Sequence, residues 1–110
     1  MRIIDLAQLD ARPVDRFDST GFSVAGLARG TETHSAVLTL EPDGVIGRHP
    51  AVGRQILVLL RGDARVSGAD GAPHDLIPGQ AVVWEPDEQH ETRTTLGMTA
   101  LVIEGDVTLT

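Results

Sequence analysis

The sequence predicts a single all-β domain, built as a sandwich or a barrel, and three observations lead to this prediction. Over most of the chain, apolar residues alternate with polar ones or form short apolar runs, as in β-strands. Twelve glycines and six prolines interrupt these segments, at the spacing of about eight to twelve residues that is typical of small all-β folds. A chain of 110 residues can build one hydrophobic core but not two.

The individual strands follow from this pattern, taken in chain order. Residues 55–60 and 81–84 are mostly apolar, so we expect both faces of these two strands to be buried. Residues 41–44, Glu-Pro-Asp-Gly, predict a turn that ends the second strand. The one helical candidate, residues 6–12, is short. Eight segments have the strand pattern: 22–27, 34–40, 55–60, 64–67, 75–77, 81–84, 90–95 and 98–104.

Composition and charge exclude several classes of protein. Nine basic and sixteen acidic residues give a net charge of −7, and no clustered basic face is present, so we expect no nucleic-acid partner. No apolar run approaches the ~20 residues of a membrane helix, so we expect no membrane partner. Without a glycine-rich phosphate loop, we expect no nucleotide cofactor.

Residue usage bears on origin and location. The absence of cysteine removes disulfides, thiolate metal sites and cysteine nucleophiles. The N-terminal segment has no sustained apolar stretch and is not a signal peptide, so we expect a cytoplasmic location. All nine basic residues are arginine, while lysine, asparagine and tyrosine are missing. We interpret this usage as the codon bias of a GC-rich bacterial genome.

Two histidines stand in motifs that resemble those of the cupin superfamily. His49 falls on the first histidine of the first cupin motif, and Gln55 and Gly62 fall on its glutamate and its final glycine. In the second motif, His90 follows Gly79 by the spacing of the family. The resemblance covers about residues 35–105, nearly the whole barrel. It implies a double-stranded β-helix, the jelly-roll or cupin barrel, for a single domain over residues 1–110, with residues 1–20 as an N-terminal arm.

The resemblance also implies a small-molecule site in the barrel, where cupins hold a divalent metal or, in some members, only a ligand. The candidate metal ligands here are His49, Gln55 and His90. Imidazole nitrogens suit divalent first-row transition metals, which here means Fe, Mn, Ni, Zn or Cu. In the alternative interpretation, the two histidines are hydrogen-bonding groups of a metal-free pocket.

The motifs are degenerate at several positions. Ala51 stands where the second metal-binding histidine belongs, and alanine cannot bind a metal. Gln55 replaces the glutamate, so a charge is lost and a carbonyl oxygen is kept. Asp87 stands at the glycine position of the second motif, and Thr94 at its asparagine position. The departures leave the fold prediction intact and weaken the set of metal ligands.

Three further residues are pocket candidates. Trp84 belongs to the predicted core and is a candidate for the pocket wall. Glu88 has the same strand parity as His90 and is therefore a candidate to replace the missing carboxylate, and the alternative interpretation is a solvated acid in a loop. His34 opens a strand, where it is either a hydrogen-bonded wall residue or a ligand.

The sequence thus supports two hypotheses of function. In the first, the protein is a metal-dependent enzyme of oxygenase or isomerase type that acts on a small molecule. In the second, it is a metal-free, non-catalytic module that binds a small ligand. We also expect a homodimer, because the mostly apolar residues 1–4 have no partner nearby in the sequence and the resemblance to small cupins implies the same state.

Overall fold

The computed structural model describes all residues 1–110, and its architecture is all-β. Two 3-10 turns, Leu6–Gln8 and Arg16–Asp18, are its helical segments, and neither has the length and apolar character needed to span a bilayer. The nine strands are β1 Arg12–Pro13, β2 Thr20–Arg29, β3 Thr33–Pro50, β4 Arg54–Gly62, β5 Ala64–Ser67, β6 His74–Leu76, β7 Ala81–Trp84, β8 Gln89–Arg93 and β9 Met98–Gly105.

All strand pairs are antiparallel, and the order is β6-β5-β8-β3-β9-β4-β7, with β2 also paired to β3 and β1 to β2. The long strand β3 pairs with two different strands, β9 and β8, along its length. Its first part, from Thr33 to Leu40, pairs with β9, and its last part, from Val45 to Pro50, pairs with β8. Bending β3 in this way closes the sheet into a nearly complete barrel, as the sequence predicts.

The predicted turn at residues 41–44 does not end the strand. Strand β3 runs through it as one element of 18 residues, and the turn residues form a corner in the strand instead. At this corner the register with β2 shifts between the pairs Thr20–Val45 and Phe22–Leu40. Asp43 has a left-handed backbone with φ of 63°, and its N–H donates to the Thr95 carbonyl at 3.2 Å. The turn residues therefore bend the chain without ending its pairing.

The sequence predicts that both faces of β4 and β7 are buried, and this prediction is wrong. On β4, Leu57 and Leu59 are fully buried, whereas Leu60 is exposed. On β7, Trp84 is buried and Ala81 is exposed. The reason is the barrel itself, since each strand has one inner face, which is covered, and one outer face, which is covered only in part.

The core lies inside the barrel and takes one face of every long strand. Leu57 and Leu59 of β4 meet Ala100 and Val102 of β9 there, because these residues share the inward parity of their strands. The left-handed Gly62, with φ of 85°, ends β4 where a Cβ atom would lie only 1.9 Å from the Gly97 carbonyl oxygen. The close approach of the β4 end to the start of β9 therefore requires glycine at this motif position.

Candidate functional site

A cavity of about 600 Å³ opens inside the barrel, within the range of known ligand sites. Its walls come mainly from β2, β3, β4, β8 and β9, and ten of its lining residues are hydrophobic. Phe22, Leu38, Ile46 and Leu57 are buried members of this apolar wall. The cavity is therefore an apolar chamber in which a few polar groups can fix the orientation of a ligand.

Six side chains with ionisable or amide groups line the cavity: Arg29, His34, His49, Gln55, His90 and Glu104. His49 on β3 lies directly opposite His90 on β8, so the two motif histidines share one face of the sheet. Glu104 on β9 is paired with His34 on β3 and with Gln55 on β4. The fold thus brings the three predicted metal ligands together with His34 and a glutamate.

The two histidines lie in a column of four aromatic rings. The Phe17 ring stacks on His49 with 4.2 Å between centroids and an angle of 7° between the ring planes. The centroids of the His49 and His90 rings are 4.4 Å apart, and the two ring planes are tilted by 51°. The Trp84 ring lies on the other side of His90, also with 4.4 Å between centroids. The imidazoles are therefore held between aromatic neighbours, and their orientation is restricted by packing.

Backbone hydrogen bonds fix the tautomer of both imidazoles. The Nδ1 atom of His49 lies 2.7 Å from the Gly47 carbonyl oxygen, and that of His90 lies 3.1 Å from the Glu88 carbonyl oxygen. Because a carbonyl oxygen only accepts, Nδ1 carries a proton in both rings. When such a ring is neutral, its lone pair is on Nε2, and neither Nε2 atom has a hydrogen-bond partner. No buried side-chain nitrogen or oxygen lacks a partner, so His90 Nε2 retains accessible surface although the residue is only 2% exposed.

The environment of His90 favours its neutral form. Burial lowers the pKa of this imidazole most strongly, and the neighbouring His49 lowers it further. The hydrogen bond to the Glu88 backbone and the negative charge of Glu104 oppose this effect without reversing it. At neutral pH, His90 is therefore a neutral imidazole that can accept a proton at Nε2.

Glu104 is the carboxylate of the cavity, and sequence reasoning missed it. The Gln55 amide donates a hydrogen bond to the Glu104 carboxylate, and both side chains are partly buried. A signal was present in the sequence, because Glu104 continues the inward row of Met98, Ala100 and Val102 on β9. Because Glu104 has the same strand parity as these buried residues of β9, its side chain is expected to point into the barrel.

Glu88, the predicted replacement for the missing carboxylate, does not line the cavity. Its side chain accepts hydrogen bonds from the backbone N–H groups of Glu85 and Ala69, each at 3.0 Å. These bonds, with that of Glu85 the stronger, hold the pKa of Glu88 below its ordinary value. Glu88 precedes β8, so strand parity does not apply to it, and its role is to cap a turn.

The other two pocket candidates have different positions. His34 lines the cavity at an exposed position near the start of β3 and makes no hydrogen bond. Trp84 does not line the cavity. It is buried behind His90 and borders a separate depression of about 390 Å³.

The motif departures have structural consequences. Ala51 is buried, and its backbone pairs with the second motif through hydrogen bonds with Glu88 and Asp87 at 3.0 and 2.8 Å. Asp87 adopts a left-handed backbone with φ of 68°, the conformation for which the family position uses glycine. Aspartate tolerates this region better than most residues, so the turn is kept.

The residues present fit a metal ion only in part. His49 and His90 have the tautomer of metal-binding histidines, whose second ring nitrogen donates to a carbonyl or carboxylate oxygen. Gln55 offers a metal only the neutral carbonyl oxygen of its amide, whose nitrogen donates to Glu104. No three His, Cys, Asp or Glu side chains are grouped as metal ligands anywhere in the chain. The donor set therefore falls short of the three protein ligands typical of catalytic zinc sites.

Comparisons with known proteins extend these findings. Neither a protein-family model nor a curated protein matches the sequence, whereas solved structures match over most of their length. An RmlC-like cupin from Shewanella frigidimarina has a TM-score of 0.80 and 14% identity, over 92% of this chain and 86% of that chain. A predicted oxalate decarboxylase from Thermotoga maritima has a TM-score of 0.83 and 15% identity, over 94% and 98%. The polyketide cyclase RemF from Streptomyces resistomycificus has a TM-score of 0.83 and 17% identity, over 100% and 87%. Similarity at these identities shows the fold and leaves the activity open.

Proposed function

We propose, from the premise that this chain has the cupin fold, that its barrel binds a small, mostly apolar carbonyl compound and catalyses an isomerase-type proton transfer. The observation that carries the proposal is the state of His90. Its imidazole is neutral, its Nδ1 proton is fixed on the Glu88 carbonyl, and its Nε2 lone pair is free in an apolar cavity. A general base needs these properties.

The chemical step follows from two residues that share the inner face of β8. His90 Nε2 accepts a proton from the carbon next to the ligand carbonyl, and the bonding pair moves to the carbonyl oxygen to form an enolate. The buried Thr92 side chain also lines the cavity, and its hydroxyl can donate a hydrogen bond to that oxygen. Where the ligand has a second double bond in conjugation with the enolate, the imidazolium of His90 then returns the proton to the far carbon of that system, and the double bond shifts to give the isomer, so the reaction needs no external oxidant or reductant.

The cavity wall supports a ligand with an apolar body. A volume of about 600 Å³ accommodates a compound of drug-like size, and apolar side chains dominate the lining.

Hydrogen–deuterium exchange at carbon tests the proposal. We expect the protein to accelerate exchange at the carbon next to the carbonyl of 1-indanone in D₂O, followed by NMR. The variant His90→Gln should lose about tenfold or more of this acceleration. His74→Gln is the matched control, because His74 is exposed and does not line the cavity. Binding of 1-indanone to the parent without exchange would favour the non-catalytic binding module.

A metal-dependent version of the site is the second candidate. The observation in its favour is the shared tautomer of His49 and His90, which leaves two neutral Nε2 donors on one sheet face. A bound divalent first-row ion would polarise the ligand oxygen as a Lewis acid. Because Gln55 is a neutral group held by Glu104, we expect weak metal binding, and the proton transfer proposed above does not require it.

We further propose that the protein forms a homodimer through its N-terminal arm. Met1 and Ile3 are almost fully exposed at 118% and 86%, and Ile4 and Leu6 are also exposed. Grouped apolar residues of this kind are typical of interaction sites. Light scattering should give twice the chain mass at micromolar concentration, and deletion of residues 1–6 should give a monomer. A monomeric parent would contradict this proposal.

A further inference from the structure

The segment Arg16–Ser19, which we call the strap, crosses the cavity next to His49 in an unusual backbone conformation. Phe17 and Asp18 both lie in the left-handed region, with φ of 59° and 56°. A bulky residue such as phenylalanine is rarely found there, whereas aspartate tolerates the region better, so the cost lies mainly at Phe17. The strap therefore stays in place only because other contacts hold it.

These contacts converge on Gly47, two residues before His49. The strap lies so close to this glycine that a Cβ atom would be 1.4 Å from the Phe17 carbonyl oxygen. The Gly47 N–H donates to the Ser19 hydroxyl at 3.0 Å, and the Gly47 carbonyl accepts from His49 Nδ1 at 2.7 Å. The strap is thus connected to His49 through one backbone unit.

The Phe17 side chain supplies the second connection. Its ring covers one face of His49 in a nearly parallel stack, and the Arg16 guanidinium lies 4.8 Å from the Phe17 ring centroid. Phe17 is nevertheless 41% exposed and lies outside the buried core. It lines the cavity at the imidazole and is held there mainly by the stack.

We propose that Phe17 is the gating residue of the cavity and that the His49 face it covers is a stacking site for a planar, unsaturated ring of the ligand. The inference rests on the proposed function, whose ligand class it narrows. A flat ring on the imidazole already shows that the space accepts a planar group at stacking distance. Rotation of the Phe17 side chain away from His49 loses this stack but leaves the Gly47–Ser19 hydrogen bond and the backbone of the strap in place. Because a planar ring of the ligand makes the same kind of stack on His49, ligand binding can displace the Phe17 ring.

Two probes with the same carbon skeleton, one planar and one saturated, separate stacking from simple filling of space. We use 2-naphthol and its saturated counterpart decahydro-2-naphthol, with calorimetry for affinity and the His49 ring protons for NMR. Phe17→Ala should bind 2-naphthol about threefold tighter or more, since no ring has to be displaced. Its affinity for the saturated probe should stay within about twofold of that of the parent.

Two controls accompany this variant. Phe17→Tyr retains the aromatic ring and should behave as the parent. Leu96→Ala removes an exposed apolar side chain that does not line the cavity, and it should have no effect. In the parent, 2-naphthol should shift the Phe17 and His49 ring signals together as one ring replaces the other.

Three results would overturn the inference. An equal gain for both probes would mean that Phe17 only fills space. Weaker binding of 2-naphthol to Phe17→Ala would make Phe17 a fixed wall of the site and not a gate. If 2-naphthol bound neither the parent nor Phe17→Ala, the stacking site would not exist. None of these results bears on exchange with 1-indanone, which tests the proposed function by itself.

Discussion

Gln55 on β4 lies directly opposite Glu104 on β9, and its amide donates a hydrogen bond to the Glu104 carboxylate. Both side chains line the cavity. The residue at the position of the family's metal-binding glutamate thus serves in this structure to hold another carboxylate. A glutamate introduced at position 55 would meet an existing negative charge, so restoring the motif also creates a like-charge pair.

The variant Gln55→Glu is therefore expected to be less stable than the parent without metal. The two carboxylates repel each other, and the lost hydrogen bond adds to the effect, for a cost of about 1–3 kcal/mol in the free energy of unfolding at neutral pH. Repulsion raises the pKa of the coupled pair above that of a free glutamate, so the folded variant binds more protons than the unfolded chain. Its deficit should shrink as the pH falls towards about 4.3.

Urea denaturation over this pH range measures the effect, and the chain offers a matched control. The double variant Gln55→Glu with Glu104→Gln exchanges the amide and the carboxylate and leaves the net charge of the pair unchanged. It should recover most of the lost stability. If the double variant is as unstable as Gln55→Glu, the contact with Glu104 is not the cause.

The same variant should bind divalent metal better than the parent. Gln55→Glu adds a third ionisable ligand to His49 and His90, and a carboxylate attracts a cation more strongly than an amide does. With Mn, Fe, Ni or Zn in excess, we expect the melting temperature of the variant to rise more than that of the parent, because binding to the folded state stabilises it.

Histidine variants locate the metal. His49→Ala and His90→Ala should each abolish the metal-induced shift, whereas His74→Ala should retain it. An equal metal-induced rise in melting temperature in the parent and in Gln55→Glu would show that Gln55 does not weaken metal binding. Another group, such as Glu104, would then supply the third ligand. A shift that persists in all three histidine variants would place the metal elsewhere.

The all-β fold could be predicted from the strand periodicity of the sequence, which is a local property. A shared site for His49 and His90 could be expected only from the resemblance of their motifs to those of cupins, because the two residues are far apart in the chain. Side-chain alternation has a period of two, and it also places Glu104 on the inner face of β9. The same reasoning fails for Glu88, which lies outside a strand and caps a turn through the N–H groups of Glu85 and Ala69. Parity is informative only where the backbone is extended.

Phe17 could not be predicted, because its position depends on contacts between distant parts of the chain. No periodic pattern marks a phenylalanine in a left-handed turn, and its partners Gly47 and His49 lie about thirty residues away. The corner at residues 41–44 shows the same limit, since a turn motif predicts a bend but not whether pairing ends there.

Asp63 is expected to stabilise the turn that leads into β9. Its carboxylate accepts hydrogen bonds from the Thr94 hydroxyl and from the N–H groups of Thr95 and Leu96, at 2.8–3.1 Å. Burial acts to raise the pKa of Asp63, but these hydrogen bonds outweigh it and hold the pKa below its ordinary value. Asp63→Ala should lower the free energy of unfolding by about 1–3 kcal/mol at neutral pH.

The pH dependence distinguishes this role from simple loss of packing. A carboxyl group with a lowered pKa in the folded state stabilises the protein above the ordinary pKa of about 3.9 and loses this effect as the pH falls. The difference between the parent and Asp63→Ala should therefore narrow in acid. Asp106→Ala is the control, because Asp106 is exposed and its side chain makes no hydrogen bond. If the difference in the free energy of unfolding between the parent and Asp63→Ala did not depend on pH, the loss of stability would come from packing and not from the charge of Asp63.

The neutral state of His90 predicts a loss of stability in mild acid. Burial, and then the proximity of His49, lowers the pKa of His90 in the folded protein, whereas the unfolded chain titrates near the ordinary value of about 6.5. The unfolded state therefore binds more protons below that pH. The free energy of unfolding should fall by up to about 1.4 kcal/mol per pH unit between about pH 6.5 and the folded pKa, and should be flat above this window as far as His90 contributes.

Urea denaturation of the parent and His90→Gln between about pH 7.5 and about pH 5.5 isolates this effect, because most carboxylates stay ionised over that range. The stability difference between the two proteins should change in favour of His90→Gln as the pH falls, since glutamine does not titrate. His74→Gln should follow the parent, because His74 is exposed. An NMR titration of the His90 ring protons gives the folded pKa directly. A value at or above about 6.5 would contradict the prediction, and a value well above about 7 would also remove the neutral base on which the proposed proton transfer depends.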